Sequence, residues 1–219
     1  SYAEDPRQTI KNLSLDIPRG SRIGIVGETG SGKSTLLDLI LGLLEPQSGE
    51  ILIDDVPLSR DTTRAWQRNI AHVPQDVYLA DATIAQNIAF GVRPEDIDYN
   101  LVREATEKAA LRDVVAALRD GYDTRVGERG FQLSGGQRQR IGIARALYRR
   151  ATVLVFDEAT SALDEHTEDT VIRAVGALSR GLTILVVGHK PSSLVGLDSI
   201  VRLENGQIQT SSGPPSVLS

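Results

Sequence analysis

The stretch Gly27-Glu28-Thr29-Gly30-Ser31-Gly32-Lys33-Ser34-Thr35 leaves this chain few options. The apolar run Ile23-Gly24-Ile25-Val26 precedes it, and Leu36-Leu37-Asp38-Leu39-Ile40-Leu41 follows. That order reads strand, glycine loop, helix, and it fits the phosphate-loop pattern G-x-x-x-x-G-K-[ST] in the context the pattern requires. Gly27, Gly30 and Gly32 have no side chain to keep a phosphate from the backbone, and glycine accepts the positive φ such a loop needs. Successive N–H groups can then face one anion, and a helix starting near Lys33 adds its positive end. Lys33 is expected to reach the β- and γ-phosphates, and the Ser34 hydroxyl to take one position on Mg²⁺. The bland alternative, a glycine turn between strand and helix, gives no reason for Lys-Ser at this offset.

The chain has 219 residues, room for one large domain or two small ones. Its net charge of -5 argues against a general nucleic-acid surface, so no nucleic-acid partner is expected. Without cysteine there is no disulfide, thiol chemistry or thiolate metal site. There is also no methionine, and the sequence opens Ser1-Tyr2, so it reads as cut from a longer chain. The longest apolar run, residues 36–44, is short and contains Asp38; nothing in it would span a bilayer. Any membrane role is expected to belong to another portion or to a partner.

Residues 1–26 read as β structure, with Leu13, Leu15 and Ile17 alternating with polar neighbours and Pro18-Arg19-Gly20-Ser21 as a turn. Tyr2 fits an edge-strand aromatic or an adenine-stacking partner. After the loop helix, Pro46-Gln47-Ser48-Gly49 is a turn, 50–53 a strand and Asp54-Asp55 a tight turn. Residues 62–68 read as helix, 70–73 as a strand stopped by Pro74-Gln75, and 83–90 as helix. From about 95 to 150 helical periodicity dominates, with Leu101, Ala105 and Ala109 on one face and Leu111, Val114, Val115 and Leu118 on another. This predicts a mostly helical insertion, with 121–130 a loop. Leu133-Ser134-Gly135-Gly136-Gln137 opens a helix to about Tyr148, with Ser134 and Gln137 spaced as a capping box. Its start is an ordinary cap or a second phosphate site.

Residues 152–156 form a continuous apolar run, typical of a strand buried on both faces, and end in Asp157-Glu158. Residues 165–180 read as helix, and 182–187 as another buried strand ending Gly188-His189. Asn205-Gly206 between apolar runs is a hairpin signal, and 211–219 is a Ser/Pro tail. Strands alternating with helices predict an α/β fold with a mostly parallel sheet, its ligands beyond the carboxyl ends of the strands. Three such ends carry polar chemistry: the Gly27 loop, Asp157-Glu158 and His189. Asp157 is expected to hold Mg²⁺ together with Ser34, and Glu158 to accept a proton from an attacking water; an acid pair can also be a solvated turn. His189 can bond a γ-phosphate or be structural. Gln75 can bind Mg²⁺ or water, or face solvent.

Over nearly its whole length the chain resembles the nucleotide-binding domain of ATP-binding cassette (ABC) proteins. The most specific match is Leu133-Ser134-Gly135-Gly136-Gln137, which looks like that family's own signature; kinases and small GTPases share the phosphate loop but lack it. Val153-Leu154-Val155-Phe156-Asp157-Glu158 looks like the Walker B strand with its catalytic Glu. Ser161-Ala162-Leu163-Asp164 resembles the D-loop, Gln75 the Q-loop, His189 the switch histidine and Tyr2 the adenine-stacking aromatic. Asp81-Ala82-Thr83-Ile84-Ala85-Gln86-Asn87-Ile88-Ala89-Phe90-Gly91 and Val126-Gly127-Glu128-Arg129-Gly130 resemble exporter segments, the second being the loop that meets the transmembrane domains. One departure is Gly188-His189-Lys190, where exporters usually carry Ser-His-Arg.

The resemblance implies a P-loop NTPase core with an antiparallel β subdomain at the N-terminal side and a helical insertion. The whole of 1–219 is then one nucleotide-binding domain. Its core and β subdomain occupy about 1–90 and 151–219, and its helical subdomain about 95–150. It implies ATP and Mg²⁺ as cofactors, Glu158, His189 and Gln75 as catalytic residues, and Ser34, Gln75 and Asp157 around the metal. Two such domains, as homo- or heterodimer, would face head to tail, with ATP on Lys33 of one closed over by Ser134 to Gln137 of the other. Hydrolysis would drive transmembrane domains of the same or a partner chain, at the cytoplasmic face of a membrane, the fragment itself being soluble. Soluble ABC ATPases of DNA repair, chromosome organisation or translation carry coiled-coil, zinc-binding or tandem-cassette insertions, and this chain has none. A cassette with little turnover would lack Glu158 or His189, and both are present. The transmembrane domains choose the cargo, so lipid, peptide, glycan and drug are all compatible with these residues.

Overall fold

The computed structural model describes residues 9–127, 131–157, 181–188 and 196–212. In chain order its elements begin with β1 Arg22–Val26, α1 Lys33–Ile40, β2 Leu52–Ile53, β3 Val56–Pro57, α2 Arg60–Asn69 and β4 Ile70–Val73. Then come β5 Ala82–Thr83, α3 Ile84–Ile88, α4 Tyr99–Lys108, α5 Arg112–Ala116, β6 Arg125–Val126 and α6 Gly135–Tyr148. The last described elements are β7 Val153–Asp157, β8 Thr183–Gly188, β9 Ser199–Glu204 and β10 Gln207–Ser212. Tertiary contacts divide the chain into two compact units. The first is Ser1–His72, Thr152–Val155 and Arg180–Ser219; the second is Val73–Ala151 and Phe156–Ser179.

The first unit is built on a mostly parallel sheet whose described strands run β10-β9-β1-β8-β7-β4. β1 pairs in parallel with β8 on one side, Ile25 opposite Val187, and with β9 on the other, Ile25 opposite Val201. Strands β1, β7 and β8 are buried along most of their length, as in parallel sheets covered on both faces, which is why they read as continuous apolar runs. Ile23, Ile25, Val155, Leu185, Val187, Val201 and Leu203 form one core with Leu36, Leu37 and Leu41 from α1 and its end. Trp66 Nε1 donates to the Ile40 carbonyl at 2.7 Å, fastening α2 to α1. Two hairpins follow the turn chemistry of their sequences. Asn205-Gly206 joins β9 to β10 antiparallel, and Asp54-Asp55 joins β2 to β3. All four turn residues have positive φ, as a two-residue turn matching strand twist requires.

The alternation over 13–17 places faces correctly: Leu13, Leu15 and Ile17 pack half-buried on this core, while Ser14 and Asp16 are exposed. Of the β structure expected over 1–26, Arg22–Val26 forms strand β1, whereas residues 9–20 form no strand and 1–8 lie outside the described residues. Alternation reports which side chains face the core; it does not supply a partner for the backbone.

In the second unit α3 and α4 pack on α6, around Ile84, Ala85, Ile88, Val102, Ala105, Leu111, Ile141, Ile143 and Ala144, all buried. The buried face of α4 is Val102, Ala105 and Thr106, with Ala109 just beyond; Leu101, expected to lead it, is only half-buried. Leu111 and Val115 are buried as expected, whereas Val114 and Leu118 lie at the margin. The stretch expected to be a loop at 121–130 contains a 3₁₀ turn, Gly121–Asp123, and strand β6, which pairs antiparallel with β5.

Helix α3 opens on a capping box, with Thr83 N–H donating to Gln86 Oε1 at 2.9 Å and Gln86 N–H to Thr83 Oγ1 at 3.2 Å. Inside this apolar segment Asn87 is fully buried. Its Oδ1 accepts from Ala80 N–H at 2.9 Å, and its Nδ2 donates to the carbonyls of Ala80 (3.0 Å) and Thr83 (3.1 Å). Asn87→Ala would strand those backbone groups. It should destabilise the chain by about 2–3 kcal/mol, read as a lower denaturation midpoint; a change under about 0.5 kcal/mol, the scale of a surface substitution, would show that water replaces the amide.

Candidate phosphate-binding site

β1 ends at Val26 and α1 begins at Lys33, so residues 27–32 form the loop. Its three glycines are required for three different reasons. A Cβ on Gly27 would overlap the Leu203 carbonyl and approach Ser31 Oγ to 2.6 Å. Gly30 has φ 82°, which side chains rarely adopt, and a Cβ there would meet nothing within 4 Å, so this side of the loop is open. Gly32 caps α1 at φ 106°, and a Cβ there would press on Ile10 Cδ1 at 3.0 Å. Leu36 N–H is the first in α1 to bond back, to Gly32 O at 2.9 Å. The N–H groups of Lys33, Ser34 and Thr35 precede it and have no intrahelical acceptor, the usual state of a helix start.

Lys33 is buried, and its ammonium donates to the carbonyls of Gly27 (2.7 Å) and Glu28 (3.0 Å). Carbonyls orient this cation without cancelling its charge. Ser31 Oγ is buried and has no hydrogen-bond partner, an orphan that an added acceptor or donor would satisfy. Glu28, Thr29, Gly30 and Ser34 are exposed, while Thr35 is buried. An orphaned hydroxyl, an open glycine and a buried cation fit a phosphate. The loop is held from behind by the β9–β10 turn: Gly206 N–H donates to Ser31 O at 2.9 Å, and Gly206 O accepts from Lys11 N–H at 2.9 Å. A Cβ on Gly206 would overlap Thr9 O.

The second unit carries the capped start of α6. Ser134 Oγ accepts from Gln137 N–H at 3.3 Å, and Gln137 Oε1 accepts from Ser134 N–H at 2.9 Å. The capping box reads as the sequence predicts. Ser134 and Gly135 are exposed, Gln137 is half-buried and Gly136 is buried, and a Cβ on Gly135 would meet nothing within 4 Å. The N–H groups of Gly135 and Gly136 thus stand at an open helix start.

Asp157 ends β7 and is half-buried; Gln75 follows β4 by two residues and is exposed. Each supplies an oxygen donor, a carboxylate from Asp157 and an amide from Gln75, of the hard kind that suits Mg²⁺; Ser34, in the first unit, supplies an exposed hydroxyl. Tyr2, Glu158, Ser161, Ala162, Leu163, Asp164 and His189 lie outside the described residues, as do Glu128 to Gly130 and the expected helix at 165–180.

A strand, a glycine loop with a buried lysine, and a separate capped helix start bearing Ser-Gly-Gly-Gln are parts of an ABC domain, and the ABC transporter family model matches residues 10–161. The chain belongs to that family. It is 46% identical over 208 residues to an ATP-dependent lipid A-core flippase of Ralstonia nicotianae, covering 94% of this chain and 35% of the flippase. It is 43% identical over 205 residues to the ABC transporter ATM1 of Toxoplasma gondii, covering 94% of this chain and 18% of that transporter. A solved structure of a bacterial Atm1-family ABC exporter with ATP bound superposes with a TM-score of 0.87 at 38% identity, covering 97% of this chain and 37% of the exporter chain. The expected nucleotide-binding domain of exporter type is therefore borne out, and this ABC chain spans about a third of the flippase's length.

Several residues that shape this ABC domain escaped the sequence reading. Gly206 was legible as a turn but not as a prop for the phosphate loop. Asn87 showed one signal, an amide within an apolar helix. Gln139 sits between Arg138 and Arg140 and looks like a surface residue, yet it is buried; Arg145 is a lone charge between Ala144 and Ala146, and burial pulls its pKa down. Among the described residues no helix is long and apolar enough to cross a membrane.

Proposed function

We propose that this chain is the ATP-hydrolysing motor of an exporter, working as one of a head-to-tail pair of such domains. The observation that carries the reading is the open, capped start of α6, with Ser134 and Gly135 exposed. A chain with one phosphate loop has no use of its own for a second helix start aimed at an anion. It has a use if that start closes over the nucleotide held by another copy or a related partner. The names of the relatives, a flippase and an exporter, support transport across a membrane.

In this reading residues 27–35 hold the phosphates of ATP, and Tyr2 stacks on the adenine. Ser34, Gln75 and Asp157 would hold a Mg²⁺ ion, which neutralises phosphate charge. Glu158 accepts a proton from the attacking water, His189 donates to the γ-phosphate, and Gln75 senses the occupied site. Ser134, Gly135, Gly136 and Gln137 meet the partner's ATP, with Ser161, Ala162, Leu163 and Asp164 as the D-loop beside it. Residues 1–219 form one nucleotide-binding domain, with a helical subdomain over about 95–150. It stands at the cytoplasmic face of the membrane, joined to transmembrane domains of the same or a partner chain.

The test is Mg-ATP hydrolysis measured against protein concentration. A rate rising faster than linearly is expected, since the site needs two chains. A strictly linear rate overturns the head-to-tail arrangement.

A further inference from the structure

Helix α6 holds the segment after β4 at three places, all within the second unit. Gln139, buried at 3% exposure, donates from Nε2 to the Pro74 carbonyl at 3.1 Å. Three residues on, Gly142 leaves room for Val77; a Cβ there would lie 2.7 Å from Val77 Cγ2. Three residues further, Arg145 Nη2 donates to the Tyr78 carbonyl at 3.1 Å. The same guanidinium donates from Nε to Asn87 O at 2.9 Å and lies 4.6 Å from the Phe90 ring centroid. Steps of three keep these residues on neighbouring turns of one helix side.

A buried amide needs a partner, and the partner chosen here is the carbonyl of the residue before Gln75. The helix thus grips the backbone on both sides of Gln75, at 74 and at 78. It is also the helix whose first turn is Ser134 to Gln137. A grip by hydrogen bonds to carbonyls fixes backbone position regardless of side-chain identity along the segment.

We propose that Gln139 is a positioning residue for Gln75: by holding the Pro74 carbonyl it sets where the Gln75 amide stands and ties that segment to the signature helix. This rests on the reading of Gln75 as a sensor of the occupied site. Movement at Gln75 is then passed to α6 through three fixed points rather than through a flexible loop.

Wild type, Gln75→Ala, Gln139→Met and the double variant test it. Methionine keeps the unbranched stem and removes the donor. Gln139→Met is expected to slow ATP turnover about fivefold, the effect of one lost hydrogen bond. It should change ATP affinity less than twofold and speed amide hydrogen exchange at 75–77. On the Gln75→Ala background it should cause no further loss of turnover. Losses that multiply in the double variant, or unchanged exchange at 75–77, overturn the proposal. Gln75→Ala with wild-type turnover overturns instead the reading of Gln75 beneath it. If Gln139→Met does not fold, Val77→Ala loosens the middle hold and carries the same expectations.

Discussion

Lys33→Ala is expected to weaken ATP binding by about a hundredfold or more, the loss of roughly two hydrogen bonds to charged groups. The lysine is buried beneath the loop, with its ammonium between Gly27 O and Glu28 O. In the proposed function it is the cation that meets phosphate there. Truncation also leaves those two carbonyls without a donor, but Glu28 is exposed and Gly27 half-exposed, so water can reach them and the fold should survive. A titration with a fluorescent ATP analogue reads the result. Unchanged affinity would mean that the loop is only a turn between β1 and α1, and the assignment of residues 27–35 would fall.

The second large effect separates binding from chemistry. Glu158→Gln should keep Mg-ATP binding and reduce turnover by about 10²–10⁴-fold, the range for removing a positioned general base. Glutamine has the same shape as glutamate and cannot take the proton. The motivation is its position directly after Asp157, the last residue of β7. With hydrolysis blocked, ATP should also trap the closed pair, seen as a doubling of mass in solution. Wild-type hydrolysis by this variant would remove Glu158 from the mechanism. Together the two variants give opposite patterns: weakened binding for Lys33→Ala, intact binding with little turnover for Glu158→Gln.

The parts of this molecule legible in the sequence are those decided by neighbours in the chain. The loop's strand–glycine–helix order, the Ser134–Gln137 cap and the Asn205-Gly206 turn each depend on residues within a few positions, and each forms as read. Strands β7 and β8 were legible because burial on both faces leaves an unbroken apolar run. What stayed hidden depends on distant partners. β5 and β6 are two residues each and pair Ala82 with Val126 across 44 positions, too short for any periodic pattern. On the α4 face Ala105 and Ala109 are buried as expected, and only Leu101 gives way to Val102, since both are apolar and only the packing of α6 against α4 chooses between them. The site shows the same division. Residues 27–35 and 134–137 announce themselves by spacing; Gln139 and Gly206 act on backbone atoms 65 and 175 positions away, and backbone carbonyls leave no trace in a sequence.

The turn at Asn205-Gly206 has a practical side. Tight turns at the ends of strands are ordinarily where a chain accepts a tag, a fluorophore or a new pair of termini. This one is not spare. Its glycine backbone joins Ser31 to Lys11, and its missing Cβ is the space Thr9 occupies. Cutting or lengthening the chain there would loosen the glycine loop at 27–32 from behind while leaving every residue of that loop intact. The exposed Asp54-Asp55 turn between β2 and β3 is the better place to attach a label, and the two turns, alike in local geometry, are opposites in what they tolerate.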